Sequence, residues 1–412
     1  MDTLTRFELK KIIRRKSFIA GLVFLVGMTI LMAMLLITGQ QTTGRDSKFL
    51  YGLEAIQLER EYNRQLAGPL TPERVAETIK LHQDIRKDPR YIDETGEISI
   101  ENYAKYDVKY EQLYSLIRPV YYPPGEFDFY IIDRMNPSDG MHYYQKRMER
   151  VDEYLNTEEG FGPYSAEEKA YYAQKNESIP VPFQVEYVSG WQQVFENLPS
   201  VFLVTALVIA ILLAPMFAGE YQSQADAIIL TSRHGHNKLI AAKLKASLIV
   251  SLGLLAVALT VYTLLLLIVF GFDGGNASVQ IINLQSPVPY TVLQTYGWVV
   301  GLGSLACLLV GVVTLWLSSR MSSPFKVIVV AGALVIVPLL LPDMDSNRYV
   351  IHLMNLLPLN MFDGFSKVTG YEVLHLANWF IPEYKLMAGY CIIAIAVLLP
   401  VTSRTFKNHQ IR

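Results

Sequence analysis

The sequence predicts an α-helical membrane protein with six transmembrane helices and a large, mostly helical extracytoplasmic domain inserted between helices 1 and 2. The first observation is the distribution of charge: residues 42–198 contain 46 of the 74 charged side chains, 28 acidic and 18 basic. The second is that the remainder of the 412-residue chain consists largely of long apolar runs. About 20 apolar residues are needed to cross the hydrocarbon core of a bilayer, and most of these runs are that long.

The apolar runs define six membrane segments. We place them at 17–38, 199–219, 247–271, 292–319, 327–341 and 386–403. The fifth is short, at the lower limit for a helix that crosses a bilayer. Lys and Arg are enriched on the cytoplasmic side of membrane proteins. They cluster in KKIIRRK (Lys10–Lys16), whereas 272–291 contains none. We therefore expect both termini on the cytoplasmic side.

This orientation assigns a side to every connecting segment. On the cytoplasmic side we expect a basic segment or elbow helix, a hairpin, a short loop and a tail, at 1–16, 220–246, 320–326 and 404–412. On the outside we expect the inserted domain, a loop and an external or re-entrant segment, at 39–198, 272–291 and 342–385.

Local signals predict helices in the inserted domain. Thr71 is placed as an N-cap before Pro72, and this helix stops before Pro89. Ser165 and Glu168 have the spacing of a capping box. We expect DSKFLYGLEAIQLEREYNRQLAG to continue helically from the first span, and RPVYYPPGEFDFYIIDRMNPSDG to form loop and short strand. The domain holds 17 of the 25 tyrosines, which indicates aromatic packing or, alternatively, a ligand- or partner-binding face.

The chain lacks motifs for several chemistries. It has no P-loop, no HExxH and no GxSxG, so we expect no catalytic residue and no cofactor bound by this chain. His234 and His236 could chelate a metal, but further ligands are missing nearby, and we expect no metal site. The net charge of −2 suggests no nucleic-acid partner. The predicted spans carry no Asp, Glu, Lys, Arg or His, which argues against an ion-coupled transporter without excluding one.

The fourth span contains two glycines at the spacing that permits close helix packing, Gly297 and Gly301. We interpret them as packing positions within the bundle. A seam between two copies is the alternative.

The stretch after the second span has the pattern of a sided helix. It begins at Glu220, and Tyr221, Ala225, Ile228 and Ile229 share one face. Arg233 lies just beyond the end of this helix, where HGH (234–236) is expected to form a turn. Asn237 can then cap a second helix that leads into the third span.

These features together resemble the type-2 ABC exporter permeases. Glu220, LTSR (Leu230–Arg233) and AAK (Ala241–Lys243) match the acid, the turn and the distal lysine of that family's cytoplasmic hairpin. NLLPLNMF (Asn355–Phe362) is similar to the half-membrane segment before the family's last span. The sequence departs from the pattern at Gln224, where the family often has Gly.

The resemblance implies a coupling helix that docks on a separate ABC ATPase subunit, which carries ATP and Mg. Its contacts would come from Glu220, Tyr221, Ala225, Ile228, Ile229 and Arg233. It also implies a second permease subunit, identical or a sister chain, a bacterial plasma membrane, and export of a substrate such as a peptide, an antibiotic or a lipid.

Three alternatives stay open. The helix could lie on lipid, and the basic N-terminal segment could hold anionic membrane lipids. The chain could be a membrane-anchored receptor or assembly scaffold that acts through its external domain. It could also be an ion-coupled transporter.

Overall fold

The computed structural model describes residues 2–92, 98–122, 127–157, 163–225, 235–340, 348–376 and 379–408. The α-helices are α1 Thr3–Ile13, α2 Lys16–Gly39, α3 Gly52–Gln65, α4 Pro72–Lys87, α5 Ile100–Asn102, α6 Glu111–Tyr121, α7 Ile131–Arg134, α8 Tyr143–Asn156, α9 Ala166–Glu177, α10 Ser189–Leu213, α11 Ala218–Gln222, α12 Ile240–Phe270, α13 Val292–Ser318, α14 Pro324–Ile336, α15 Arg348–Asn355, α16 Pro358–Phe362, α17 Gly364–Thr369 and α18 Glu383–Lys407. The strands are β1 Gln41–Thr43, β2 Phe49–Tyr51, β3 Gly68–Pro69, β4 Gln184–Val185, β5 Val373–Leu376 and β6 Trp379–Pro382. They pair as three antiparallel two-stranded ribbons, β1 with β2, β3 with β4 and β5 with β6.

Within the described residues, five helices are long and apolar enough to cross a membrane: α2, α10 with its continuation to Met216, α12 with its start at Asn237, α13 and α18. This architecture is compatible with the predicted α-helical membrane protein. The fifth predicted span is a shorter apolar helix, Pro324–Leu340, which ends in a 3₁₀ turn. Seventeen residues at 1.5 Å each reach about 25 Å, less than the hydrocarbon thickness of about 30 Å.

Helices α10 and α13 form the centre of the bundle. In each, 61% of the most apolar window is buried within the chain, against 17% in α2 and α18. The two central helices approach closely at Gly303, where a Cβ atom would lie 2.2 Å from Cε2 of Phe202. Only a residue without a side chain fits there. The outer helices expose broad apolar faces, as helices in contact with lipid do.

The predicted packing role of Gly297 and Gly301 is wrong for contacts within this chain. Both are exposed, and a Cβ atom built on either meets nothing within 4 Å. The glycine that permits close approach is Gly303, six residues after Gly297, because it lies on the face of α13 that meets α10. A seam between two copies stays a prediction for the open face.

The connecting segments meet at the two ends of the bundle. At one end, which we call the base, Tyr221 Oη donates to Ser319 O at 2.9 Å, and Lys243 contacts α1. At the other end, the top, Arg147 of α8 donates to the carbonyls of Leu284 and Ser286. Segments for which the sequence predicts a common side therefore lie at the same end.

The helix boundaries with local capping signals are confirmed. Thr71 Oγ1 accepts from the backbone N–H of Arg74, and α4 ends at Lys87, two residues before Pro89. Ser165 and Glu168 form the reciprocal capping box at the start of α9. These boundaries depend on interactions over three residues, which the sequence alone specifies.

Two local predictions for this domain are wrong. The helix expected to continue from the first span is interrupted by the β1–β2 hairpin, which Gly44 closes with a bond from its N–H to Lys48 O. Ser47 in the turn and Gly52 at the start of α3 both have positive φ, which breaks a helix. The stretch expected to form loop and short strand instead contains the end of α6, the short helix α7 and a 3₁₀ turn in its described part.

Tyrosines build much of the core at the top. Tyr114 and Tyr143 are fully buried, and Tyr143 Oη donates to Leu116 O at 2.9 Å. A second, smaller cluster joins α8 and α9 to β5 through Tyr164, Tyr172 and Tyr371. Because these rings bury area, and the hydroxyls of Tyr114, Tyr143 and Tyr371 donate hydrogen bonds within the chain, aromatic packing explains many of the tyrosines without a partner.

The segment expected to be external or re-entrant folds back against the bundle. Met361 and Phe362 of α16 are buried, and a Cβ atom on Gly364 would lie 3.2 Å from Val299 Cα of α13. In the same segment, His352 Nδ1 of α15 lies 2.7 Å from Glu383 Oε1 at the start of α18. The segment is thus fixed between α13 and α18.

Candidate functional site

The site predicted from the sequence begins where α10 ends. Pro215 lies in a 3₁₀ turn, Ala214–Met216, that redirects the chain into the short helix α11. Ser318, the last residue of α13, fixes this corner. Its Oγ accepts from the N–H groups of Phe217 and Ala218, both at 3.0 Å, and donates to Ala214 O at 2.7 Å. The root of the predicted hairpin is therefore bonded directly to a central helix.

Four charged side chains form a base cluster at this root, which we define as Glu8, Lys11, Glu220 and Lys243. Lys243 Nζ lies 2.9 Å from Glu220 Oε1 and 3.3 Å from Glu8 Oε2. Lys11 Nζ lies 2.8 Å from the same Glu220 oxygen. The cluster joins α1, α11 and α12, and its four charges cancel.

The base cluster is buried apart from one member. The side chains of Lys243, Glu8 and Glu220 are 1%, 4% and 9% exposed, and that of Lys11 is 40% exposed. Lys243 Nζ also donates to Met216 O at 3.3 Å. A buried ammonium requires such partners because desolvation of an unpaired charge is costly. Lys243 is thus the central member on which both acids depend.

The balance of burial and charge keeps Glu220 ionised. Burial alone would raise the pKa of its carboxyl, but the ammonium groups of Lys243 and Lys11 outweigh it and hold the pKa below its ordinary value. The carboxylate therefore carries its negative charge at neutral pH, as the pairing requires.

Tyr221 is attached to two further helices. Its Oη donates to Ser319 O just after α13, and its ring stacks on Phe406 of α18 at a centroid distance of 5.6 Å. Together with the base cluster, this residue links the five-residue helix α11 to the ends of α1, α12, α13 and α18.

The described part of the predicted coupling helix is shorter than expected. Glu220 and Tyr221 make contacts within the chain, and their contact with a partner, which the resemblance implies, stays a prediction. The helix ends at Gln222, and Gln224 has a left-handed φ of +55°. Tyr221 and Ala225 therefore do not share one uninterrupted helix. Ile228, Ile229, Arg233 and His234 lie outside the described residues.

The conformation of Gln224 is one that favours glycine. A left-handed backbone costs a residue with a side chain about 1–2 kcal/mol, because its Cβ approaches the following carbonyl oxygen. This is the position at which the sequence departs from the pattern of the resembling family, and the geometry supplies a reason for glycine there.

We expect Gln224→Gly to leave the chain at least as stable as the wild type, and Gln224→Val to lower its thermal unfolding temperature in detergent. Valine adds a β-branched side chain to a left-handed backbone, whereas glycine relieves the strain. Gln222→Val, in the exposed helical position two residues earlier, is the control and should cost less than Gln224→Val. A lower unfolding temperature for Gln224→Gly than for Gln224→Val would contradict the assignment.

Two members of the base cluster were missed by the sequence reasoning. Glu8 and Lys11 lie in the N-terminal segment, whose basic cluster Lys10–Lys16 predicts the orientation of the chain and does not by itself indicate a site. The available signal was Glu8, an acid within a run of bases, at helical spacing from Thr5 and Ile12. All three are buried on one face of α1.

In the described part of the chain, no group of three or more His, Cys, Asp or Glu could hold a metal ion.

The comparisons with known proteins leave the family open, because no family model, no curated protein and no solved structure matches the chain.

Proposed function

We propose that this chain is the membrane subunit of an ATP-driven exporter of the type-2 ABC class, driven by a separate ATPase subunit. The observation that carries the proposal is the attachment of α11 to the ends of four helices through the base cluster and Tyr221. A chain without its own nucleotide-binding motif needs a surface through which another protein can exert force.

The geometry supports this role for a mechanical reason. The base cluster holds both ends of the hairpin, Glu220 before it and Lys243 after it, 2.9 Å apart. Ser318 and Tyr221 connect the same root to α13 and α18. If a partner displaced residues 225–239, α10 and α12 would therefore move together. Helices α1, α13 and α18 would move with them, because all are bonded to the same root.

Co-purification tests the proposal. Tagged chain is isolated from native membranes, and its binding partners are identified by mass spectrometry. We expect an ABC ATPase, whose turnover changes when the purified chain is added. A chain that brings down no ATPase and leaves the turnover of purified candidates unchanged would refute it.

A local variant tests the coupling helix itself. We expect Ile228→Asp, in the part of the hairpin assigned from the sequence, to uncouple ATP hydrolysis from transport without lowering the stability of the bundle. Gln222→Asp, on the exposed side of α11, serves as a control that adds the same charge. Unchanged subunit binding and transport for Ile228→Asp would place the docking surface elsewhere.

A further inference from the structure

One cavity at the top of the bundle lies above the ends of two apolar helices. It has a volume of about 560 Å³ and lies between β1, α3, the start of α6 and the start of α10. Gln40, which follows α2, and Gln192 of α10 both line it. Cavities of about 300–1,000 Å³ hold small-molecule ligands in proteins.

The lining is rich in groups that accept hydrogen bonds and contains no basic side chain. Its polar members are five amides, four hydroxyls and two carboxylates, from Gln40, Gln41, Asn63, Gln112, Gln192, Thr42, Thr43, Ser115, Ser189, Glu59 and Glu111. Three aromatic rings, Phe49, Tyr62 and Tyr103, complete the wall with three aliphatic residues. The amides and hydroxyls can donate as well as accept, so it is the two carboxylates, with no basic side chain beside them, that favour a ligand with positive charge.

Two side-chain amides of the lining have unused hydrogen-bonding capacity within the described residues. Gln112 Nε2 donates to Glu186 O at 2.9 Å, which sets the amide, and its Oε1 is buried without a hydrogen bond. Asn63 is 6% exposed, and within the described residues its side-chain amide bonds to no group. Buried polar groups are normally satisfied. Gln112 Oε1 is too buried to be reached from the cavity, whereas the unbonded amide of Asn63 lines the cavity and is available to a ligand.

Glu59 supplies the negative charge. Its carboxylate accepts one hydrogen bond, from Ser189 Oγ at 3.1 Å, and it forms no ion pair in the part of the chain that the structure describes. Burial raises the pKa of this carboxyl above its ordinary value, and the bond from Ser189 opposes the rise. The second acid of the lining, Glu111, is already paired with Arg118 at 2.5 Å.

We propose that this cavity binds a primary ammonium group joined to a polar, partly aromatic body, which is the chemistry of a peptide N-terminus. The ammonium is a donor only, and it finds an unpaired carboxylate in Glu59 and an unbonded amide oxygen in Asn63. The remaining amides suit the peptide groups of the ligand, and the aromatic rings suit a hydrophobic side chain. The inference depends on the cavity alone and does not require an ATPase partner.

A matched pair of probes tests this inference on the full chain in lipid nanodiscs. The probes are phenylalanyl-glycinamide and its N-acetylated form, which differ only in the ammonium group. We expect calorimetric titration to show saturable binding of the free amine, at least ten-fold tighter than of the acetylated form. No binding of the amine at millimolar concentration, or equal binding of both probes, would overturn the proposal.

Variants separate the site from nonspecific attraction. Glu59→Gln keeps the shape of the side chain and removes its charge, and we expect it to weaken binding of the amine at least ten-fold. Glu54→Gln, on the same helix and outside the cavity, removes the same charge and should leave binding unchanged. If both variants weakened binding of the amine equally, the effect would come from the overall charge of the domain, and the assignment of the site would be refuted.

A third variant tests a second residue of the lining, and a measurement of unfolding shows whether each variant is folded. Asn63→Leu should also weaken binding while Glu59 is retained, and unfolding temperatures of all variants show whether each is folded. If Glu59→Gln is folded and binds the amine as the wild type does, the assignment is wrong. Since the chain is tested without an ATPase, failure here leaves the exporter proposal standing, and failure to capture an ATPase leaves this site standing.

Discussion

Replacement of Lys243 by methionine is expected to lower the free energy of unfolding of the chain by about 3–5 kcal/mol, the largest effect of any single substitution at the base. Methionine keeps the length of the side chain but removes the ammonium that both Glu8 and Glu220 face. Loss of one partner of a buried ion pair leaves an uncompensated charge, which costs about 3–5 kcal/mol. Thermal and chemical unfolding in detergent measure the change.

The chain contains a matched control two residues away. Lys245 lies on the same helix, its side chain is 63% exposed, and it lies 3.6 Å from Asp2. Exposed pairs contribute about 0–1 kcal/mol, so Lys245→Met should change stability little. Equal losses from the two variants would show that the effect is not specific to the buried cluster.

Removal of the acids should rescue the Lys243 variant. In Lys243→Met, Glu8 has no cation left among the described residues, while Glu220 keeps Lys11. Glu8→Gln in this background should therefore restore part of the lost stability, because it removes a buried unpaired charge. Hydrogen exchange should show faster exchange in α1 for Lys243→Met and slower exchange again in the double variant.

Acidification provides a second readout, whose sign follows from Glu220. The pKa of Glu220 in the folded chain lies below the ordinary 4.5. The pairing of its carboxylate with Lys243 and Lys11 therefore stabilises the fold at pH above 4.5, and this stabilisation is lost as pH falls through the folded pKa. In Lys243→Met only Lys11 opposes the effect of burial on the pKa of Glu220, so the carboxyl takes up a proton at higher pH than in the wild type. The stability difference between wild type and Lys243→Met should therefore narrow as pH falls from 7 towards 4.

The base cluster shows why part of the site could not be predicted from sequence. Its contacts join residues 209 and 235 positions apart, from Lys11 to Glu220 and from Glu8 to Lys243. No local pattern contains such a pair. Glu8 is buried in α1, and burial of this acid is possible only because a lysine of another helix reaches it.

Predictions that depend on short-range interactions were more successful. The N-cap at Thr71 and the capping box at Ser165 involve partners three residues away and are confirmed. The apolar runs located five candidate membrane helices, although α10 begins ten residues earlier than the predicted span. Hydropathy locates the apolar part of a helix, which lipid or the protein core covers. It does not detect a polar extension of the same helix, such as the first turns of α10.

The hairpin β1–β2 and the cavity could not be predicted from local sequence patterns. The apolar and polar residues of 46–68 fit a helix, and the positive φ of Ser47 is not specified by its residue type. The cavity combines residues from 40 to 281, so its acceptors come together only when α3, α6 and α10 pack. Its chemistry is indicated by Glu59, which lines it and forms no ion pair within the described residues, and this property has no signature in sequence.

The second large effect is expected at the centre of the bundle. Gly303→Ala should lower the free energy of unfolding by about 1–3 kcal/mol, the usual cost of overpacking a close-packed interior. The new Cβ would lie 2.2 Å from Cε2 of Phe202, and real contacts of Cβ atoms do not come under 3.0 Å. Phe202 is fully buried and its ring packs near Phe362 at 6.2 Å, so the ring is not free to move aside.

The same helix provides the control for this substitution. Gly301→Ala adds the same methyl group at a position where a Cβ meets nothing within 4 Å, so it should be neutral or slightly stabilising, because alanine favours helix more than glycine does. Phe202→Leu combined with Gly303→Ala should recover part of the loss, since a smaller side chain opens space for the methyl group. If Gly303→Ala and Gly301→Ala are equally stable, the close approach of α10 and α13 is wrong.

The pair of glycines also distinguishes packing within one chain from packing between two. Gly303 faces α10, so its substitution should act on the stability of the single subunit at any protein concentration. Gly301 faces away from the rest of the chain, so a larger residue there can act only on what covers that face from outside. If a second permease subunit packs on α13, Gly301→Leu should weaken the dimer in size-exclusion light scattering while the unfolding temperature of the monomer stays unchanged. An unaltered oligomeric state would place the interface between subunits on another face, and would leave the role of Gly303 intact.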